Sequence, residues 1–271
     1  MPSDMRLHAI RSFRLVTADS DRLVAFYHAI GFTPSEPVPI GDDEMSVLGL
    51  AGWGRRQPLT LGDSRIELDW FEAPGRPYPA EANAADLIFQ HLALVTDDAR
   101  SAWLRVLKAG ATPISRDGPV ELPPSAGGVT AVKFRDPDGH PLEFLQFLVG
   151  SNPTWAGSGM MGIDHSAISV SNLAASRRFY ARNGLTESEA ALNQGPTQIA
   201  LDGLDDVRVD VVPMKPPIAP RHIELLHYRT PTGRPHHPLI ANDIAATRIV
   251  WQAETNKLLR DPDGHLHQLK R

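Results

Sequence analysis

The sequence contains no cysteine. That excludes disulfides, thiolate ligands and a cysteine nucleophile, and leaves histidine, carboxylates and weaker oxygen donors as the groups able to hold a metal. A surplus of positive charge is also missing. The 27 Lys and Arg residues face 32 Asp and Glu, for a net charge of −5, so no nucleic-acid partner is expected. No apolar run approaches the ~18–20 residues of a membrane-spanning helix. The start, MPSDMRLHAIRSF, has no uninterrupted apolar stretch, so no secretory leader is expected. These absences predict a cytoplasmic protein partnered by neither nucleic acid nor membrane. What is present, 42% hydrophobic and 22% charged residues over 271 positions, suffices for ordinary cores in about two domains.

One pattern occurs three times. Ser12 to Gly31, His91 to Gly110 and His165 to Gly184 each run from a β-like strand through an amphipathic helix to a glycine 19 residues on. A second signal, RDPDGH, occurs at 135–140 before Pro141-Leu142-Glu143, and at 260–265 before Leu266-His267-Gln268. Repetition at fixed spacing means a fold built from copies of one unit.

The expectation is an α+β protein of four βαβββ modules. The first has a strand over 13–17, a helix over 19–31, and strands in MSVLGLAG, RQPLTLG and SRIELDWF. The second has a helix over 97–110 and strands near 111–115, 129–135 and 141–148. The third, from His165, has strands near 185–192, 196–202, 207–213 and 222–228. The fourth, from about Thr247, is truncated and has no room for a full helix. A Gly- and Pro-containing linker over 150–161 separates a predicted domain at 1–149 from one at 162–271. The segments 66–79 and 223–238 align with one inserted residue, and each has an Asp 19 residues past its glutamate, Asp86 after Glu67 and Asp243 after Glu224. His222 therefore belongs to the last strand of the third unit, beside Glu224.

These features resemble the vicinal oxygen chelate superfamily: glyoxalase I, bleomycin-resistance proteins and extradiol dioxygenases. The resemblance rests on the strand-helix segments ending in Phe26-Tyr27 and Phe179-Tyr180, the glycines after them, and the RDPDGH turns, and it covers nearly the whole chain. It implies two domains of paired units, each pair curling a mixed sheet around a cleft, with metal ligands on the first and fourth strands of each unit. The strand-one positions are Ser12, His91, His165 and Arg248; the strand-four positions are Glu67, Glu143, Glu224 and Gln268. If units pair in sequence order, the ligands divide between two clefts, and Arg248 sits where a cation would. If the middle units pair, His91, Glu143, His165 and Glu224 share one cleft, and Glu67 can pair with Arg248 in the other. The second arrangement is favoured, since it gathers every intact ligand and keeps a guanidinium away from a cation.

Two imidazoles and two carboxylates suit Fe²⁺, Mn²⁺, Ni²⁺, Co²⁺ or Zn²⁺. The resemblance implies a metal-dependent enzyme acting on a small oxygenated molecule, a glyoxalase-like lyase or isomerase in which Glu143 or Glu224 acts as base. The alternatives are an extradiol-type Fe²⁺ dioxygenase and a non-catalytic binding or resistance protein, each as a monomer or homodimer. Substrate contacts are expected from Asn193 and Gln194 in the LNQGP turn, from His222 on the face of Glu224, and from Tyr228. Trp53, Trp70 and Phe144 are further aromatic candidates for a pocket or for the core. His140 and His265 read as turn-stabilising hydrogen-bond formers, and His236 and His237 as a solvated loop.

Overall fold

The computed structural model describes residues 5–218 and 220–271. The first unit comprises β1 (Ala9–Val16), α1 (Ser20–Ile30), β2 (Thr33–Pro34), β3 (Val38–Ile40), α2 (Asp42–Leu48), β4 (Gly54–Leu61) and β5 (Ser64–Phe71). The second comprises β6 (Gln90–Thr96), α3 (Ala99–Lys108), β7 (Thr112–Pro113), β8 (Val120–Glu121), β9 (Thr130–Arg135) and β10 (Pro141–Gln146). The third comprises β11 (Met160–Ser169), α4 (Leu173–Arg182), β12 (Thr186–Glu187), β13 (Ala191–Gln194), α5 (Pro196–Asp202), β14 (Arg208–Lys215) and β15 (His222–Thr230). The short fourth has β16 (Arg248–Gln252), β17 (Lys257–Arg260) and β18 (Leu266–Lys270).

Two predicted strands are helices. MSVLGLAG lies largely in α2 and its C-cap, and 196–202 is α5. Both are short helices whose end signals outweigh β-like composition. Asp42, Asp43 and Glu44 favour the positive end of α2, and Pro196 occupies the first turn of α5. Gly49 and Gly203 close them in the left-handed region, at φ of +70° and +65°.

The strands form two curled mixed sheets, neither closed into a barrel. The outer sheet runs β17-β18-β16-β1-β5-β4-β2, with β3 on β4. The inner sheet runs β12-β14-β15-β11-β6-β10-β9-β7, with β13 on β14 and β8 on β9. The middle units therefore share one sheet and the end units the other, each sheet drawing a unit from either side of residues 150–161. At both centres two first strands meet antiparallel, β1 with β16 and β6 with β11, and each runs parallel to its own unit's last strand.

Strand alternation sorts the side chains. Phe13, Leu15, Leu92, Leu94, Phe134, Phe144, Ile223, Ile249 and Trp251 join α1, α3 and α4 residues in one core drawn from all four units. The opposite faces line two clefts. The RDPDGH turns tie neighbouring units together. Tyr27 Oη donates to Asp136 Oδ2 at 3.0 Å, and Tyr180 Oη to Asp261 Oδ2 at 3.0 Å. His140 and His265 hold these turns through their own backbone N–H groups, and their Nε2 atoms reach Ile244 O and Ser169 O.

His267 occupies the core-side position that Leu142 holds in the second unit. Trp251 Nε1 donates to its Nδ1 at 3.0 Å, so the ring proton is on Nε2, which donates to Tyr180 Oη at 2.9 Å. Burial pushes the imidazole down to about 4, against the pull of Asp261. A pKa lowered by folding means the neutral ring stabilises the protein fully above about pH 6.5 and less as pH falls through 4. Denaturant titrations are expected to show about 3 kcal/mol of His267-dependent stability lost from pH 6.5 to 4. His267→Gln should flatten that interval, and parallel pH profiles for the two proteins would refute the assignment.

The connectors after β5 and β15 interlock reciprocally. Arg76 pairs with Asp243 and Arg234 with Asp86. A side chain at Gly75 would strike the Asn242–Asp243 backbone, and one at Gly233 the Ala85 carbonyl. The GRP repeats are thus places where two backbones touch.

Candidate metal centre

The inner cleft has a volume of about 560 Å³ and receives residues from β6, β9, β10, β11, β15 and α5. On β6, His91 faces the cleft and Ala93 packs on the same side with Val129, Leu145 and Leu201, while Leu92 and Leu94 enter the core. On β10, Glu143 and Leu145 face it, and on β15 His222, Glu224 and Tyr228 do. A β-bulge in β11 between Ile163 and His165 puts both Asp164 and His165 on the cleft side.

Three of the sequence-named ligands converge: His91, Glu143 and His165 are buried, with one ligand atom from each lying within 4.8 Å of the others. The rings of His91 and His165 have centroids 5.7 Å apart. The fourth, Glu224, lies beside this group, its Oε2 3.4 Å from His165 Nε2 and its Oε1 3.5 Å from His222 Nε2. His165 Nδ1 donates to Asp164 Oδ2 at 2.9 Å, and Asp164 Oδ1 accepts from Trp155 Nε1 at 2.6 Å. That support fixes the ring and leaves Nε2 with a lone pair, the usual carboxylate–histidine support of a metal ligand.

His91 carries the strongest sign of a missing partner. Glu143 Oε2 lies 2.7 Å from His91 Nε2, but without the alignment of a hydrogen bond, and both ring nitrogens are buried and unbonded. An orphaned buried polar atom costs about 1–3 kcal/mol. Burial lowers the His91 pKa and so favours the neutral ring that ligates. Burial opposes ionisation of Glu143, yet the Lys133 ammonium and the nearby imidazoles hold its carboxyl below the usual range. Glu224 resists burial in the same way and is held at about 2 by His165 and His222. His165 is raised to about 9 because Glu224 and Asp164 outweigh its burial. Among the described residues no arginine lines the cleft, and its Lys133 is shared with Asp202 at 2.6 Å, so a proton on His165 or a bound cation supplies the further positive charge that Glu143 and Glu224 call for. The donor set fits a divalent metal.

Tyr228 lines the cleft, but its hydroxyl is engaged by Asp202 Oδ2 at 3.0 Å; Asn193 and His222 also line it. Gln194 is exposed at the end of β13 and outside the lining, because the predicted turn is a strand running into α5. Trp53, just before β4, packs against Trp70 of the outer sheet with ring centroids 5.1 Å apart, and Phe144 is core. The sequence reading missed Asp164, whose bulge breaks alternation, and Lys133, Gln198 and Asp202, two of which sit on a helix read as a strand.

The outer cleft has a different composition. Ser12 Oγ donates to Glu67 Oε2 at 3.0 Å and Gln268 Oε1 accepts from Arg14 Nη1 at 2.7 Å, while Arg14 Nε binds Glu67 at 2.6 Å. The expected Glu67–Arg248 pair is replaced: Arg248 Nη2 binds Asp69 Oδ2 at 2.6 Å, and Arg56 grips Asp69 with two bonds. Glu44 reaches in from α2 to Arg14, Arg56 and Lys270. Arg248 stands at the strand position that holds an imidazole in the inner cleft, and Arg14 stands two residues past Ser12, where the inner cleft has alanines.

A model of the family described as the Glyoxalase/Bleomycin resistance protein/Dioxygenase superfamily matches residues 8–144, just over half of the chain. Glyoxalase I from Zea mays superposes with a TM-score of 0.59 at 15% identity, covering 96% of this chain and 91% of that one. A protein described as a "putative dioxygenase" from Bacillus subtilis gives 0.56 at 13% identity, covering 97% and 85%. At such identities these likenesses establish the fold. No curated protein matches the chain.

Proposed function

The chain belongs to the glyoxalase/bleomycin resistance protein/dioxygenase superfamily, and from that premise we propose that it is a metal-dependent enzyme acting on a small molecule with two adjacent oxygens. The observation that carries this reading is the convergence of His91, Glu143 and His165, with both His91 nitrogens unbonded in a cleft without arginine. A divalent ion held by these three, with Glu224 adjacent, would supply Lewis-acid polarisation of the substrate oxygens.

The chain's own residues do the rest. Asp164 and Trp155 orient His165, and Lys133 keeps Glu143 ionised. Glu224, held between His165 and His222, is the base that takes a proton from carbon beside a carbonyl, as an isomerase or lyase of glyoxalase type requires. Leu122, Val129, Leu145 and Leu201 keep water from the reacting face. A second reading, a ring-cleaving dioxygenase, draws support from the two-histidine, one-carboxylate set, a ligand pattern that suits Fe²⁺.

The test is chemical. Protein loaded separately with Zn²⁺, Mn²⁺ or Fe²⁺ is incubated with a small α-hydroxyketone in deuterated water and followed by NMR. Metal-dependent deuterium uptake, lost in Glu224→Gln, is the expected result. Oxygen consumption with catechol on the Fe²⁺ form would instead select ring cleavage. Metal binding with neither reaction would leave a ligand-sequestering protein.

A further inference from the structure

Helix α5 carries a side chain that the reaction above does not use. Gln198 lines the inner cleft and is 4% exposed. Its Nε2 donates to Asp202 Oδ2 at 2.9 Å, and Asp202 is held in turn by Lys133 Nζ at 2.6 Å and Tyr228 Oη at 3.0 Å. A carboxylate only accepts, so the amide must turn its nitrogen toward Asp202 and its oxygen away. Among the described residues no protein group donates to Gln198 Oε1, and the same holds for Asn193 Oδ1 in the same cleft.

The outer cleft indicates what this helix position does. Glu44 is the third residue of α2, and Gln198 is the third residue of α5, the corresponding helix of the third unit. Glu44 accepts from Arg14, Arg56, Gln268 and Lys270, the donors that fill the outer cleft. The inner cleft offers an acceptor at the equivalent place but has no built-in guanidinium to meet it. Its acceptor is also uncharged, which suits a neutral donor better than a cation. The same cleft is also lined by the apolar Leu122, Val129, Leu145 and Leu201, beside the polar group of Lys133, Asp202 and Tyr228.

We propose that Gln198, with Asn193, selects substrates bearing an uncharged hydrogen-bond donor, a hydroxyl or an amide N–H, on an apolar body beyond the two oxygens presented to the metal. The inference rests on the chelate reading and adds the chemistry of the substrate's far end. A site built around an acceptor discriminates against an analogue in which a methyl group replaces the donor, because the acceptor then stays unpaired.

Benzohydroxamic acid presents two adjacent oxygens to a metal whatever reaction the enzyme performs, so its ring derivatives are suitable probes. Dissociation constants are measured on the Zn²⁺-loaded full chain for the 3-hydroxy, 4-hydroxy, 3-methyl and 4-methyl compounds. At one ring position or both, the hydroxy compound is expected to bind about five- to tenfold more tightly than its methyl counterpart. In Gln198→Met, with an unchanged melting temperature, that preference should vanish while parent hydroxamate binding persists. The ligand pairs test the idea on the unaltered protein even if the variant folds poorly. Equal affinities at both positions, or a preference that survives in Gln198→Met, would overturn the inference while leaving the chelate reading in place. Hydroxamate binding that is absent, or indifferent to metal, would bring down both.

Discussion

Glu143→Gln is expected to cost the protein at least 100-fold in affinity for Zn²⁺ or Mn²⁺, and His91→Ala a similar amount. Disturbing groups that merely orient metal ligands costs ~10–100-fold, and these substitutions remove the ligating atom itself. The glutamine keeps the shape of Glu143 but not its charge, and an amide oxygen is a weak ligand for these ions. Lys133 retains Asp202 at 2.6 Å, so the variant should stay folded. Competition titration against a chromophoric chelator measures the loss, with far-UV circular dichroism as the fold control. Ser12→Ala is the informative partner, because Ser12 lies in the other sheet and bonds Glu67. Ligation centred on the outer cleft would show as metal affinity that falls with Ser12→Ala and survives Glu143→Gln.

The second large effect concerns stability. Arg14 is buried and bonds Glu67, Gln268 and Glu44. Burial alone would favour the protonated acid at Glu67, but Arg14 and Arg56 hold it at about 2. Arg14→Ala leaves these carboxylates with too little positive charge inside the protein, and breaking a buried network by removing one partner costs about 3–5 kcal/mol. Urea denaturation at neutral pH should register that loss, with metal affinity unchanged. A Glu67→Gln, Arg14→Met pair should recover much of it, since removing both charges spares the penalty of an unpaired one. A single Arg14→Ala that denatures at the wild-type urea concentration would contradict the account of the outer cleft.

Repetition made most of the architecture legible. The copies at Ser12, His91 and His165 predicted the strand-helix openings, and comparison of equivalent positions favoured the sharing of a sheet by the middle units, as observed. Other features fell outside what periodicity can carry. MSVLGLAG has the composition of a strand, and only its acidic start and its glycine end mark it as α2. Asp164 sits on the face that alternation forbids, because a bulge shifts the register by one. Arg14 occupies the cleft-facing position two past Ser12, where the second and third units have Ala93 and Ala167; that contrast of large and small was present in the sequence. Arg248 was given the wrong carboxylate, since spacing says nothing about which acid a long side chain will reach.

The sharing of sheets between distant units also sets the order in which the protein can be completed. Every strand of the inner sheet lies between Gln90 and Thr230, whereas β1 of the outer sheet must wait for β16, from the far end of the chain. Closing so long a loop is entropically costly and slows folding. A nascent chain can therefore finish its inner sheet while Arg14, Arg56, Glu67 and Asp69 still lack Arg248 and Gln268. The outer sheet is the last part to close, and its charged interior is the part most exposed to mispairing during synthesis.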